Sequence, residues 1–364
     1  MNQVLLGLST KKDIDLEIFF SQEWLGKDNK LNPKSPLREL PLRTFPTREN
    51  STERTWKLFR YPGMDNYLPN KIDWLYAPME TYIPVSKCPV AVTIHDIQAF
   101  ENNLPWSKTW KHKWFRYKWG RWVRRTLADC RIVFTVSEFS KKRMVELLGA
   151  KPEKIVVVGN GVEQSFFDVA GKDPQTLDIP GNKPYVLVIG GLREKKGAAA
   201  VLAVAIALKQ RCIEMNIVVV GESEAEYVKI AQTFSNIILL GGINTNGERE
   251  PVGDEKLPDI LRAASSLLFL SPYEGFGIPA LEAMAAGVPV IAANRASLPE
   301  VVDDAGFLVE PEATEEILDI IIQLENNRSL RQNYIYRGRN HASQYTWSQC
   351  VDKIANTLKH KSMI

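Results

Sequence analysis

The sequence predicts an α/β protein of two doubly wound domains, each a parallel sheet with helices on both faces. Short apolar runs rich in β-branched residues alternate with longer amphipathic segments, the pattern of strands buried on both faces. The alternation comes in two series, parted by a polar stretch where Gly, Pro and Asp accumulate. The length agrees, since 364 residues exceed one ordinary core and suit two domains of roughly 150–200 residues each.

The first series comprises DLEIFF (15–20), DWLYA (73–77), VAVTIH (90–95), RIVFTVS (131–137) and KIVVVG (154–159). The second comprises YVLVIGG (185–191), MNIVVVG (215–221), NIILLGG (236–242), SLLFLSP (266–272) and VPVIAA (288–293). Between them GVEQSFFDVAGKDPQTLDIPGNK reads as the linker, giving an N-terminal domain at 1–168 and a C-terminal domain at 169–345. The last segment, 346–364, carries the amphipathic TWSQCVDKIANTLKHK and predicts a terminal helix. The opening is unusual. A doubly wound domain normally begins with a strand and a Gly-rich turn, whereas MNQVLLGLS reads as the end of a helix. The expectation is an N-terminal domain without its first strand and Gly-rich loop.

Composition excludes several classes. Apolar residues make up 45% and charged residues 24%, the balance of a soluble globular chain. No apolar run approaches the ~20 residues that span a bilayer, and MNQVLLGLSTKKDIDLE lacks the basic leader of a signal peptide. Cys88, Cys130, Cys212 and Cys350 show no CxxC spacing, which argues against a zinc site or disulfide framework and predicts a cytoplasmic setting. A net charge of +3 is near neutral, so a charged partner must be met by a local patch.

The stretch PYEGFGIPALE (272–282) points to chemistry. Ser271 and Pro272 end a strand, and Pro279 suits the first turn of a helix. The corner between them lies at the carboxyl edge of a parallel sheet, where open α/β folds bind ligands. Gly275 and Gly277 let backbone N–H groups approach an anion with no Cβ in the way, and the helix dipole adds attraction. A phosphate ester fits there. Glu282, one turn into the helix, and Glu274, before the corner, can each accept hydrogen bonds from hydroxyls beside it. Phosphate flanked by hydroxyls describes a nucleotide-sugar. Spacing alone fits equally a Gly-rich turn with two solvated glutamates.

The longer segment SPYEGFGIPALEAMAAGVPVIAANRASLPEVVDDAGFLVEP resembles the donor-site signature of the retaining glycosyltransferases of family 4, which have the GT-B fold. The likeness continues, in the family's order, through VAVTIHDI, TVSEFSKKRMVELLGAKPEKIVVVGNGVE and YVLVIGGLREKKGAAAVLAVAIAL, covering most of the chain from about residue 85. It implies two Rossmann-like domains facing across a cleft, acceptor bound by the first and nucleotide-sugar by the second, with the terminal helix crossing back onto the first. By the same resemblance Glu282 would bind the ribose, and Glu274 would hold donor sugar and phosphates with the amides of Phe276, Gly277 and Ile278.

The loop GGLREKKG follows the first strand of the second series, where a cation can stabilise charge developing on a leaving diphosphate. Taken without any resemblance, its three cations read more readily as a solvated surface. The resemblance matches Lys196 to the family's lysine; the partner arginine of many members is replaced by Gly191. Arg193 or Lys195 must then supply the second charge, and Lys195 is favoured. His95 and Asp96 close a strand at another carboxyl edge. A lone histidine is more often structural, but His95 resembles the family's histidine beside the transferred sugar, so it is assigned to substrate positioning. Asp96 suits an acceptor contact or a cap, and Ser137 is a further acceptor-side candidate. The resemblance implies a reaction with retention, no metal and no cofactor, in which the leaving phosphate takes the acceptor's proton.

Residues 106–125, WSKTWKHKWFRYKWGRWVRR, hold five of nine tryptophans and eight lysines or arginines, with no acid between Glu101 and Asp129. Helical spacing of Trp110, Trp114, Tyr117 and Lys118 fits three readings. One is a packed aromatic face with solvated cations; another is contact with an anionic membrane surface. Nucleic-acid binding is the third, and the near-neutral net charge argues against it. The functional expectation is transfer of a sugar from a UDP- or GDP-linked donor to a glycan or lipid-linked acceptor, in cell-surface polysaccharide synthesis. The alternatives are a catalytically inactive subunit at the membrane surface and a nucleotide-sugar epimerase of the same fold.

Overall fold

A computed structural model, describing residues 2–45, 56, 63–170, 183–241 and 252–362, has a strand at each of the ten apolar runs. Contacts divide it into two units. The first unit takes residues 1–102, 109–160 and 347–364, and the second takes 103–108 and 161–346. By contacts the division falls after Asn160, inside the stretch 161–183 read as the linker, of which residues 171–182 lie outside the described residues.

The first unit opens on helix α1 (Asn2–Ser9), followed by strands β1 (Ile18–Ser21), β2 (Leu42–Phe45), β3 (Leu75–Ala77) and β4 (Val90–Ile94). Helix α2 (Trp110–Asp129), β5 (Ile132–Thr135), α3 (Glu138–Leu148) and β6 (Ile155–Val157) complete its main run. Strands β3–β6 form a four-stranded parallel sheet in sequence order, while β1 and β2 pair in parallel as a separate sheet. Alternation of side chains builds two cores from one sheet. Val92, Ile94 and Val133 pack with Val123 and Leu127 of α2 and Met144 of α3. Their neighbours Ala91, Ile132 and Phe134 face Val4 and Leu8 of α1 and Cys350, Val351 and Ile354 near the C-terminus.

In the second unit the order is α4 (Gln164–Asp168), β7 (Tyr185–Ile189), α5 (Ala198–Gln210), β8 (Asn216–Val220), α6 (Ala225–Ala231) and β9 (Ile237–Leu240). It continues with α7 (Leu257–Ala263), β10 (Ser266–Phe269), α8 (Ile278–Ala285), β11 (Val290–Ala293), α9 (Leu298–Val302) and β12 (Phe307–Val309). Helices α10 (Thr314–Asn326) and α11 (Arg328–Ala342) follow, and α12 (Trp347–Ser362) belongs with the first unit. The six strands make one parallel sheet ordered β12-β11-β10-β7-β8-β9. From β7 the chain winds outward through β8 and β9, then returns to β10 on the other side of β7. The point where winding reverses lies between β7 and β10. Ligands of open α/β sheets bind outside the carboxyl ends at such a point.

Candidate functional site

The loops leaving β7 and β10 carry the two groups of residues singled out in the sequence. Lys196 ends a 3-10 turn, Glu194–Lys196, and its Nζ reaches Glu274 Oε1 at 2.6 Å. The Glu274 side chain is only 16% exposed, so this charge-assisted hydrogen bond lies largely out of water. The Lys196 stem passes over Gly190, where a Cβ would sit a tight 3.3 Å from Lys196 Cε. At Gly191 the backbone has φ +77°, and a Cβ would lie 1.9 Å from the carbonyl oxygen of Glu222. No side chain fits at 191, which gives the missing arginine of the resemblance a steric cause.

The other two cations of the loop point elsewhere. Arg193 donates from Nε to Glu222 O (2.8 Å) and from Nη2 to Glu222 Oε2 (3.0 Å). Lys195 Nζ stands 5.6 Å from the centre of the Trp106 ring. Lys196 alone of the three makes an ion pair with Glu274 among the described residues.

Beyond Glu274 the chain turns through Gly275 and Phe276 into α8, whose N-cap is Gly277 at φ +118°. Its left-handed torsion favours glycine, and a Cβ at 277 would lie 2.7 Å from Leu298 Cδ2, which would have to shift. Pro279 occupies the first turn, where its missing N–H costs nothing. First-turn amides of a helix have no intrahelical acceptor, so the turn around Ile278 offers donors to an anion. Phe276 is buried, edge-on to Tyr345 at 5.9 Å between ring centres. Glu282 lies on α8, half-buried, about one turn from its start.

Ser297 is a site residue that sequence reading missed. Its fully buried Oγ lies 2.7 Å from Phe276 O and 2.9 Å from Glu274 O, as donor to the pair. Those carbonyls therefore face Ser297. In planar trans peptides the N–H groups of Gly275 and Gly277 then point away from it. The serine before Leu298-Pro299-Glu300 reads as a helix cap; its hydroxyl does not cap α9 but fixes the corner.

In the first unit, the backbone N–H of His95 donates to Glu80 Oε1 (2.6 Å), and Nε2 lies 3.1 Å from Pro78 O. A carbonyl can only accept, so Nε2 is the donor of this contact. Asp96 Oδ1 accepts from the N–H of Gln98 (2.9 Å), which places it as a turn cap. Ser137 is fully buried and its Oγ accepts from Ser140 N (3.0 Å), capping α3. Glu101, 7% exposed, takes a two-pronged bond from Arg143 on α3 (2.7 and 2.6 Å) and raises the arginine's pKa still further. This pair ties the segment after His95 to α3.

Among the described residues, no three His, Cys, Asp or Glu side chains gather as a metal site. Two concavities of the first unit, about 600 Å³ beside Arg38 and Leu42 and about 420 Å³ beside Asp65 and Tyr82, hold none of these candidates. The basic tryptophan-rich stretch divides. Trp119 stacks on Phe100 at 5.1 Å and Trp122 is buried in the core. The first turns of α2 instead expose Trp110 (77%), Trp114 (55%), Phe115 (50%) and Tyr117 (68%). No described helix is long and apolar enough to cross a membrane.

Comparison with known proteins agrees with this fold. Residues 25–166 match the family described as Glycosyltransferase Family 4, and residues 170–341 match Glycosyl transferases group 1. The O-antigen chain mannosyltransferase B of Escherichia coli is 26% identical over 86% of this chain and 77% of its own. A D-inositol 3-phosphate glycosyltransferase of Corynebacterium aurimucosum is 29% identical over 63% of this chain, which spans little more than half (56%) of that relative. Sucrose-phosphate synthase from Thermosynechococcus elongatus superposes with a TM-score of 0.70 over 98% of this chain and 91% of its own, at 17% identity. Anabaena Alr3699/HepE, solved in complex with UDP, superposes at 0.67 over 99% and 96%, at 18% identity. Family matches along both units, and the fold shared with these structures, establish that the chain is a glycosyltransferase of group 1, family 4, with the GT-B fold.

Proposed function

We propose that this protein transfers a sugar from a UDP- or GDP-linked donor to a glycan or lipid-linked acceptor, retaining the anomeric configuration and using no divalent cation or cofactor. The observation that carries the reading is the Lys196–Glu274 pair at the sheet's switch point, beside the first turn of α8. Diphosphate oxygens would take the α8 amides and Lys196, while Glu274 and Glu282 accept from sugar and ribose hydroxyls. As the glycosidic bond breaks, negative charge grows on the leaving phosphate, where Lys196 and the helix dipole stabilise it without reorganising. The acceptor hydroxyl attacks on the face that phosphate vacates and gives its proton to it. His95 would position the transferred sugar. The name of the Escherichia coli relative supports a role in building a surface polysaccharide.

Lys196→Ala tests the charge role. Turnover should fall on the order of a hundredfold, far more than donor affinity, because the charge it meets develops in the transition state. Activity abolished by EDTA and restored by magnesium would contradict the metal-free mechanism. Sugar release that needs no acceptor would instead mark an epimerase.

We place the acceptor at an anionic membrane surface on the cytoplasmic side. The exposed aromatics of α2 support this, because they alternate with Lys111, Lys113 and Lys118 in a stretch with no acid. Each cation near such a surface contributes about 1 kcal/mol. The variant with Lys111, Lys113, Arg116 and Lys118 all changed to Gln should lose most co-sedimentation with anionic vesicles. Equal pelleting of variant and parent would leave α2 an ordinary solvated face.

A further inference from the structure

In the four-stranded sheet of the first unit, β4 runs on past its neighbour β3. The parallel register sets Leu75 beside Val90 and Ala77 beside Val92; β3 ends there, while β4 continues to Ile94. Leu75 N donates to Pro89 O, so Pro89 faces β3, and by alternation His95, six residues later, faces the same way. Ile94 faces β5 instead, its carbonyl accepting from Thr135 Oγ1 at 2.8 Å. Past Ala77 the acceptor for the His95 N–H therefore comes from a side chain. It is Glu80, whose Oε1 lies 2.6 Å from the His95 nitrogen. Earlier in the same loop, the Pro78 carbonyl stands 3.1 Å from Nε2 of the ring.

The loop leaving β3 thus holds His95 at two points. The bond to the amide fixes where the backbone stands, and the bond to Nε2 fixes how the ring is turned. A carboxylate is a strong acceptor for such an amide, because the bond is charge-assisted. Glu80 makes no ion pair among the described residues, so its charge answers to this amide. With Nε2 on Pro78, Nδ1 is the ring nitrogen that the loop leaves to a ligand. We infer that Glu80 is a positioning residue for sugar transfer: with the Pro78 carbonyl it clamps His95, so that the ring presents Nδ1 to the transferred sugar. This rests on the nucleotide-sugar reading given above, in which His95 positions that sugar.

Kinetics and ring spectra of the full chain test the clamp. Turnover and donor KM are measured for the parent, Glu80→Gln, Glu80→Met, His95→Ala and the double variant of Glu80→Met with His95→Ala. Gln keeps a side-chain oxygen at the same reach, whereas Met, of similar length, offers only a weak acceptor. Glu80→Met should lower kcat on the order of tenfold with the donor KM little changed, since a loosened group costs rate more than binding. Glu80→Gln should keep most of the parent's rate, and Glu80→Met should cost nothing further once His95 is Ala. Nitrogen NMR spectra of the histidine rings, recorded in alkaline buffer, need no substrate. The His95 signals, assigned by their loss in His95→Ala, should show the hydrogen on Nε2 in the parent and in Glu80→Gln. In Glu80→Met they should average over both tautomers. A parent ring with its hydrogen on Nδ1 overturns the inference, even if Glu80→Met fails to fold. So do identical ring spectra in parent and Glu80→Met, a loss in Glu80→Gln as large as in Glu80→Met, or additive losses in the cycle. A parent that binds no nucleoside diphosphate overturns the nucleotide-sugar reading instead, and the ring spectra still decide whether Glu80 holds His95.

Discussion

Among the described residues the two units spend the same number of strands differently. The second joins six in one continuous parallel sheet, whereas the first sets β1 and β2 apart from the four strands β3–β6. The contrast extends to burial. Every residue of β10 and β11 is buried, while β2 has its two middle residues exposed and its ends half-buried. A continuous sheet fixes the loops at its carboxyl edge through its own core, and that edge bears Lys196, Glu274 and the start of α8. In the first unit the edge residues are fastened by side chains, Glu80 on the amide of His95 and Arg143 on Glu101. The corner of the second unit is fastened by side chains as well, Ser297 on the Glu274 and Phe276 carbonyls and Lys196 on Glu274, but on loops that leave a fully buried central part of the sheet.

The largest test of this contrast is a pair of truncations. Leu267 in β10 is fully buried, pairs with Leu187 on one side and Val290 on the other, and should cost about 2–5 kcal/mol when changed to Ala. Arg43 in β2 is exposed and pairs with Glu17 at 2.6 Å, so Arg43→Ala should cost less than about 1 kcal/mol. Urea melts of both variants decide the matter. Comparable losses would mean that the divided sheet is as tightly built as the continuous one.

A smaller effect sharpens the same comparison within the second unit. Ser297→Ala removes the hydroxyl that holds the Phe276 and Glu274 carbonyls and should cost about 1–3 kcal/mol of stability. It should also weaken nucleotide binding several-fold, although Ser297 is buried and has no place among the proposed ligand contacts. Unchanged affinity in a variant of lowered stability would separate the serine from the site.

Much of this was legible in the sequence, for physical reasons that also mark where reading stopped. Strands buried on both faces leave long apolar runs, and all ten such runs formed strands. Strands β2 and β12 did not announce themselves, being four and three residues long and largely half-buried or exposed. The glycine corner was visible because Gly277 and Pro279 have torsional and donor requirements that residue type expresses directly. The meeting of Lys196 with Glu274 was not, since 78 positions separate them and only the strand order brings β7 beside β10. Nor could the sequence distinguish Ser137 as a buried cap from an acceptor contact, because serine before a helix reads the same in both roles. The helical spacing of residues 106–125 likewise concealed that Trp122 turns into the core while Trp110 and Trp114 stay exposed.

The proposed donor site requires a nucleoside diphosphate in the corner between Glu274 and Glu282. Calorimetric titration of the purified protein with UDP and with GDP, beside Glu282→Ala, measures that directly. Loss of the carboxylate removes charge-assisted hydrogen bonds to the ribose, each worth about 1.5–3 kcal/mol. At least one of the two nucleotides should bind the parent, and its affinity should fall on the order of ten- to a hundredfold in the variant. Equal affinity of parent and variant for each nucleotide, or no binding of either to the parent, would contradict the assignment.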